Sequence, residues 1–320
     1  MKAIRVREFG SPEVMCVEEI PDPVPGPGQV LIQIKAIGVN PTDTYTRSGS
    51  GSKTVSLPYT PGIDAAGVVE AVGEGPTHIA VGARIYTSGT ITGAYAERAL
   101  CVESQLHPLP ANISYQQGAA INIPYATAYR ALFQRASAIA GETVLVHGAS
   151  GGVGVAAVQI GRSAGMRIIG TASTAKGREL VLKEGAHHAL DHSSSDYLDQ
   201  ILMLTDGRGV DIVLEMLSNV NLAKDLRILA MRGRVVVIGS RGKIEIDPRE
   251  TMLKDLTISG MLLFNVSELG ALSIHAALFA GLENGSLRPV IGKQMPLSEA
   301  PRAHREIMEP GAYGKIVLIP

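Results

Sequence analysis

Thr143-Val144-Leu145-Val146-His147-Gly148-Ala149-Ser150-Gly151-Gly152-Val153-Gly154 is the stretch that decides the fold of this chain. An apolar strand over 143–147 runs into three positions that must stay small: Ala149, Gly151 and Gly154 take the places of G-x-G-x-x-G. Each place has its own task. Ala149 permits a tight turn while its φ stays negative, Gly151 lets backbone approach a pyrophosphate, and Gly154 lets the following helix pack against the sheet. That helix, expected over about 152–164, aims its unpaired N–H groups and positive dipole end at the phosphate. The first place departs from the pattern, with Ala where Gly is usual.

Apolar runs alternate with helix-length segments on the C-terminal side: 167–172, 189–191, 210–214, 235–239 and 256–261. Strand, crossover helix, strand is the mark of a parallel doubly wound sheet, because parallel neighbours need a long connection. A Rossmann lobe over 123–266 follows. Upstream, residues 1 to about 101 consist of short period-two runs such as Val30-Leu31-Ile32-Gln33-Ile34-Lys35-Ala36, cut by Pro- and Gly-rich turns at 21–28 and 73–76, which predicts an antiparallel, barrel-like β lobe over 1–122. Ser114 with Gln117 forms a capping box at the first helical stretch. Residues 267–320, with a helical stretch over 269–282 and a terminal strand over 314–319, are too few for a domain and are assigned back to the β lobe.

The chain has 320 residues, enough for two cores. Its 29 basic and 30 acidic residues are dispersed, so nothing in the charge calls for a nucleic acid or a membrane surface as partner. The N-terminus alternates in polarity and carries no long apolar run, which fits a cytoplasmic protein. Cys16 and Cys101 share no metal-ligand spacing and read as two reduced hydrophobes.

Which dinucleotide binds is read at the end of the second Rossmann strand. An acid there accepts hydrogen bonds from the ribose 2′-hydroxyl of NAD. The segment Gly170-Thr171-Ala172-Ser173-Thr174-Ala175-Lys176-Gly177-Arg178 has none. Ser173 and Lys176 can instead bind a 2′-phosphate, so NADPH is the expected cofactor.

Six segments carry a family resemblance: 38–45 (Gly-Val-Asn-Pro-Thr-Asp-Thr-Tyr), 58–62 (Pro-Tyr-Thr-Pro-Gly), 123–132 (Ile-Pro-Tyr-Ala-Thr-Ala-Tyr-Arg-Ala-Leu), the glycine-rich turn, 215–222 (Glu-Met-Leu-Ser-Asn-Val-Asn-Leu) and 237–242 (Val-Ile-Gly-Ser-Arg-Gly). Together they resemble the zeta-crystallin-like, zinc-independent quinone oxidoreductases of the medium-chain dehydrogenase/reductase superfamily, over essentially the whole chain. The resemblance implies a GroES-like β lobe built from both chain ends, beside the Rossmann lobe. It also implies NADPH contacts at Tyr45, Thr127, Ser150, Gly151, Gly152, Val153, Ser173, His192, Asn221, Ile238, Gly239, Ser240, Arg241, Met261, Leu262 and Leu263. Read without it, Asn221 is a helix N-cap and His192 a loop histidine.

Zinc members of the superfamily hold their metal at places that match Asn40, Asp64 and the Pro124-Tyr125 region here; a lone Asp among these is no zinc site. The expected reaction is NADPH-dependent reduction of quinones, by hydride or by one-electron transfer to ortho-quinones, with Tyr45, Asn40 and Tyr59 lining the substrate side. The alternative acceptor is an α,β-unsaturated carbonyl or enoyl thioester, for which Tyr45 is the candidate proton donor. An RNA-binding or structural role has no basic stripe or aromatic platform to support it. The resemblance further implies a homodimer or homotetramer, and the apolar last Rossmann strand is suited to pairing with a twin.

Overall fold

The computed structural model describes residues 1–51, 55–75 and 77–320; Pro76, the last residue of the turn at 73–76, lies outside the described residues. The chain divides into two compact units, one of residues 1–123, 288–309 and 314–320, the other of 124–287 and 310–313.

The first unit is built on strands β1 (Lys2–Val6), β2 (Met15–Glu19), β3 (Gln29–Gly38), β4 (Asp64–Val72), β5 (Arg84–Thr87), β6 (Arg98–Val102) and β7 (Leu106–Pro108). β1 and β2 form a separate antiparallel pair, and β3 pairs with both β4 and β6, also antiparallel. Side chains from several of these short strands, Ile4, Val30, Ile32 and Ile37 among them, share one core with Tyr95 from the segment before β6. One helix matters for function. Pro41–Ser48 starts where Pro41 supplies a pre-set φ and where Asp43 and Asn40 cap each other, Asn40 N donating to Asp43 Oδ2 at 2.9 Å.

The second unit holds β8 (Thr143–Val146), β9 (Arg167–Thr171), β10 (His188–Leu190), β11 (Val210–Glu215), β12 (Leu229–Val237) and β13 (Thr257–Gly260). They lie in the order β10-β9-β8-β11-β12-β13, all parallel. Ranked within the unit this is the Rossmann order, with its reversal between β8 and β11. The expectation of a strand over 235–239 catches only the end of β12. Its first half is hidden from the pattern because the register slips against β11 between Val210 and Ile212, and Arg232 takes a φ of 60°.

Assigning 267–320 wholly to the β lobe needs correction. The Glu268–Glu283 helix belongs to the second unit: Arg130 and Gln134 donate to the carbonyls of Asn265 and Gly270 at its start, and Leu287 packs on Gly281 at its end. Residues 310–313 go with it, tied by Ser150 Oγ donating to Ala312 O at 2.7 Å. The rest of the C-terminal segment supplies β14 (Ile291–Pro296) and β15 (Lys315–Ile319), which extend the first unit's sheet beside β3. No helix among the described residues is long and apolar enough to cross a membrane.

Candidate active site

The glycine-rich turn follows β8. Its left-handed residue is Gly148, at φ 58°, and Ala149 keeps a negative φ, which is how an alanine fits the first place of the motif. Ala149 is fully buried and donates its N–H to Thr171 O at 2.8 Å, locking the turn to β9. A Cβ on Gly154 would stand 2.3 Å from Gly148 O and 2.5 Å from Ala149 Cα, so only glycine lets the Gly152–Ser163 helix approach the turn. Gly151 caps that helix in extended backbone without a side-chain hydrogen bond. The open N–H groups of the first helical turn at Gly152 and Val153 are the donors a pyrophosphate needs. The Ser150 hydroxyl is held by Ala312 O, which fixes its direction.

The remaining sequence-assigned cofactor residues, apart from Thr127 and Tyr45, gather beyond the C-terminal ends of the parallel strands, where open α/β sheets bind ligands. Ser173 follows β9 and is half-buried; Lys176 is exposed in the first turn of the Ala175–Lys183 helix. A cation at a helix N-terminus opposes the dipole, so the helix itself does not favour a lysine there. Its ammonium sits 4.3 Å over the Tyr313 ring. Arg178, by contrast, is committed to Asp191 at 2.7 Å. His192 is exposed after β10, with Nδ1 3.3 Å from Thr171 Oγ1. Asn221 is not a helix N-cap: it lies inside the Ser218–Ile228 helix and donates to Glu215 Oε1 at 3.2 Å. Ile238 to Arg241 follow β12, where a Cβ on Gly239 would meet Met216 O at 2.4 Å, and Met261 to Leu263 follow β13. Thr127 is buried in the short helix Thr127–Tyr129.

In the first unit the three substrate-side residues part company. Tyr45 is half-buried on the Pro41–Ser48 helix. Tyr59 borders a cavity of 480 Å³ shared with Arg5, Asp43, Thr60 and Ile63, and its hydroxyl is buried without a hydrogen-bond partner. Burial pushes that phenol up to about 12, so it stays protonated. Asn40 is buried with its amide consumed: Nδ2 donates to Asp64 Oδ2 at 3.0 Å and Oδ1 accepts from the Lys315 ammonium. It has no face left for a substrate. Beneath it, Asp43 accepts from Asn40 N and from Tyr95 OH at 3.2 Å, while burial raises its carboxyl to about 7.

Two family profiles match the chain, an alcohol dehydrogenase GroES-like domain over residues 26–111 and a zinc-binding dehydrogenase over 152–276. The human protein named quinone oxidoreductase is 51% identical over the whole of this chain and 98% of its own length. The chain belongs to the quinone oxidoreductase family of the medium-chain dehydrogenase/reductases. Among solved structures, a quinone oxidoreductase of Escherichia coli complexed with NADPH superposes at a TM-score of 0.89 with 29% identity, each chain fully covered. A structure described as an NAD-dependent alcohol dehydrogenase superposes at 0.93, also with 29% identity and full coverage of both chains.

The zinc in one profile's description invites a test of fit, and the side chains of this quinone oxidoreductase family member fail it. Where Asn40 and Asp64 meet there is no thiolate or imidazole, and the cation between them is Lys315: its Nζ donates to Asn40 Oδ1 and lies 3.4 Å from Asp64 Oδ2. Asp64 Oδ1 is taken by Asn122 Nδ2 and the Ile123 amide. Tyr125 donates elsewhere, to Gln159 at 2.9 Å. A hard ammonium with every carboxylate oxygen already bonded leaves no coordination set.

Lys315, Asp43 and Tyr95, with His304 whose Nε2 lies 3.0 Å from Tyr95 OH, were missed by motif reading, as were His147, Glu215 and Asp225 in the other unit. The available signal was a charged residue inside or at the end of an apolar run, as in Gly314-Lys315-Ile316-Val317 and Val213-Leu214-Glu215.

Proposed function

We propose that the chain is a cytoplasmic, zinc-independent oxidoreductase that reduces quinones with NADPH. The observation that carries this is the 51% identity to the human quinone oxidoreductase along the full chain. NADPH over NADH is supported by Ser173 and the exposed Lys176 in a segment free of acids. Bound at the turn, the cofactor supplies two electrons and one hydrogen; a quinone also needs one proton to become a hydroquinone. The chain's own residues orient the nicotinamide and acceptor, keep water away and meet the oxygen that gains charge. Tyr45 and the Tyr59 hydroxyl serve as hydrogen-bond donors to that oxygen. Asn40 acts from below, by fixing the first turn of the helix that carries Tyr45.

Acceptors that need a proton on carbon form the second reading, and Asp43 favours it: a carboxyl that holds its proton near neutral pH borders the same cavity as Tyr59. One assay series separates the readings. Initial rates with NADPH and NADH are compared for ortho-quinones, para-quinones, enals and enoyl thioesters. NADPH-dependent turnover of quinones is expected; turnover of enals alone would replace the first reading by the second. A radical signal by electron paramagnetic resonance, in proportion to NADPH consumed, would mark one-electron transfer.

A homodimer or homotetramer is part of the proposal. β13 is an edge strand whose Ile258 is exposed, with Leu262 and Phe264 exposed just after it. Sedimentation as a monomer at micromolar concentration would refute it.

A further inference from the structure

The Rossmann unit buries a polar cluster that electron transfer does not itself require. His147 stands between β8 and the glycine-rich turn, Glu215 ends β11, and Asp225 lies on the Ser218–Ile228 helix; all three are buried. Their ligating atoms lie within 4.8 Å of one another. His147 Nε2 is 2.8 Å from Asp225 Oδ1 and 3.4 Å from Glu215 Oε2.

Those spacings suit a proton better than a metal. A tetrahedral ion with bonds of about 2.0–2.1 Å holds its ligand atoms more than about 3 Å apart, whereas 2.8 Å is a hydrogen bond. The second oxygens, Glu215 Oε2 and Asp225 Oδ2, are buried without a hydrogen-bond partner. Burial raises both carboxyls to about 7, so around neutral pH the pair taken together retains a proton.

The cluster continues outward in two directions. Glu215 Oε1 accepts from Leu217 N at 2.5 Å and from Asn221 Nδ2 at 3.2 Å. On the other side His147, kept neutral by burial, donates from Nε2 to Asp225 and so accepts at Nδ1. The Thr171 hydroxyl, 3.5 Å away, is the donor that faces it. Its oxygen is then left to accept from Gly148 N at 3.4 Å and from His192 Nδ1 at 3.3 Å. Asn221, Glu215, His147, Thr171 and His192 thus stand in succession under the glycine-rich turn, Glu215 approaching His147 Nε2 at 3.4 Å and Asp225 holding the same nitrogen at 2.8 Å.

We propose that Glu215 and Thr171 are positioning residues for cofactor binding, joined through His147 and Asp225 into one buried relay that sets Asn221 at one end and His192 at the other. This rests on the reading that Asn221 and His192 contact NADPH. Glu215 fixes which way the Asn221 amide points. Thr171 fixes the tautomer of His192, so that its Nε2 is offered as an acceptor. The groups facing the carboxyl pair are His147, Lys224 and Tyr197, with Arg178 and Asp191 beside His192.

The test is direct titration of NADPH fluorescence, with kcat and KM measured on the full chain. Thr171→Val, close to isosteric, is expected to raise the NADPH Kd 3- to 10-fold with kcat changed less than twofold (about 0.7–1.4 kcal/mol). Glu215→Ala is expected to do the same or more, and Glu215→Gln, which mimics the proton-bearing acid, to recover the affinity that Ala loses. Above pH 7 the parent Kd should rise as the pair's proton leaves, while that of Glu215→Gln stays flat. Asn221→Ala and His192→Ala separate the two levels of failure. If both weaken NADPH while Thr171→Val and Glu215→Ala do not, the relay is wrong and the contact residues stand. If neither weakens NADPH, the contact reading fails and takes the relay with it. Should Glu215→Ala not fold, Thr171→Val and the pH series decide alone.

Discussion

Each unit of this chain buries two carboxyl groups side by side, and the two solve the same electrostatic problem with different cations. In the β unit Asp43 and Asp64 share their surroundings with the Lys315 ammonium, which sits 3.4 Å from Asp64 Oδ2 and within a hydrogen bond of Asn40. In the Rossmann unit Glu215 and Asp225 flank a neutral histidine, no ammonium is hydrogen-bonded to either among the described residues, and burial raises both carboxyls to about 7. A buried ammonium is a counter-charge held in place by the chain, whereas a proton relieves the repulsion within a carboxyl pair only until the pH climbs past it. The β unit has therefore put an ammonium between Asn40 and Asp64, and the Rossmann unit has put a titrating carboxyl pair under its cofactor turn.

The largest break in this comparison comes from removing the buried ammonium. Lys315→Met leaves Asp64 buried with amide partners but no counter-charge, and the cost of orphaning one half of a buried pair is about 3–5 kcal/mol. Urea or thermal unfolding measures it. A loss below about 1 kcal/mol would mean that water replaces the ammonium and that Lys315 is not the organising charge. Next in size is Gly154→Ala, whose Cβ has backbone on two sides at 2.3 and 2.5 Å. Separating the helix from the turn should cost about 1–3 kcal/mol of stability and abolish saturable NADPH binding, since the phosphate donors move with the helix. Unchanged NADPH affinity would show that the turn is not where the pyrophosphate lies.

The titratable side breaks more gently. Asp43, Glu215 and Asp225 are each raised to about 7 from ordinary values of 3.8 or 4.5. Folding therefore takes up protons between those limits. The contribution of these groups is complete below about pH 4 and is lost as pH rises towards 7, the reverse of a salt-bridged carboxylate. A unit of pKa shift is about 1.4 kcal/mol, so even after discounting for relaxation around buried charge the loss is on the order of 1–2 kcal/mol per group. Comparing unfolding at pH 5 and pH 8 for the parent and for Asp43→Asn checks the sign. The variant should lose less stability over that interval; an equal or steeper fall would place the titration elsewhere.

These clusters also mark the limit of what the sequence discloses. The sheet was legible because each strand and crossover writes a local period, and the turn because Gly154 is a steric necessity that follows Gly151 and an apolar strand within a dozen residues. Gly148's positive φ was as local, yet the motif drew the eye to Ala149 instead. Lys315 lies 275 residues from Asn40 and Asp225 lies 78 from His147, so no window contains both partners. The Glu268–Glu283 helix is apolar on most sides, and such a helix does not announce which unit it covers. Asn40 illustrates the other failure: its place on the helix was right, but the lysine that consumes its amide could not be seen.

The smallest effect concerns a lysine of the Rossmann unit that faces outward. Lys176 has its ammonium over Tyr313 and stands in a helical turn that disfavours a cation, so an anion is the partner that would justify it. Lys176→Ala should raise the KM for NADPH about three- to tenfold and leave that for NADH nearly unchanged, roughly 1 kcal/mol of discrimination in a site open to water and salt. The loss should shrink as ionic strength rises, because only a screened charge is removed. Equal effects on the two cofactors would instead assign Lys176 to packing on Tyr313 and leave Ser173 as the residue that distinguishes them. The contrast with Lys315 is then quantitative: the same side chain is worth several kcal/mol where the protein surrounds it and about one where solvent does.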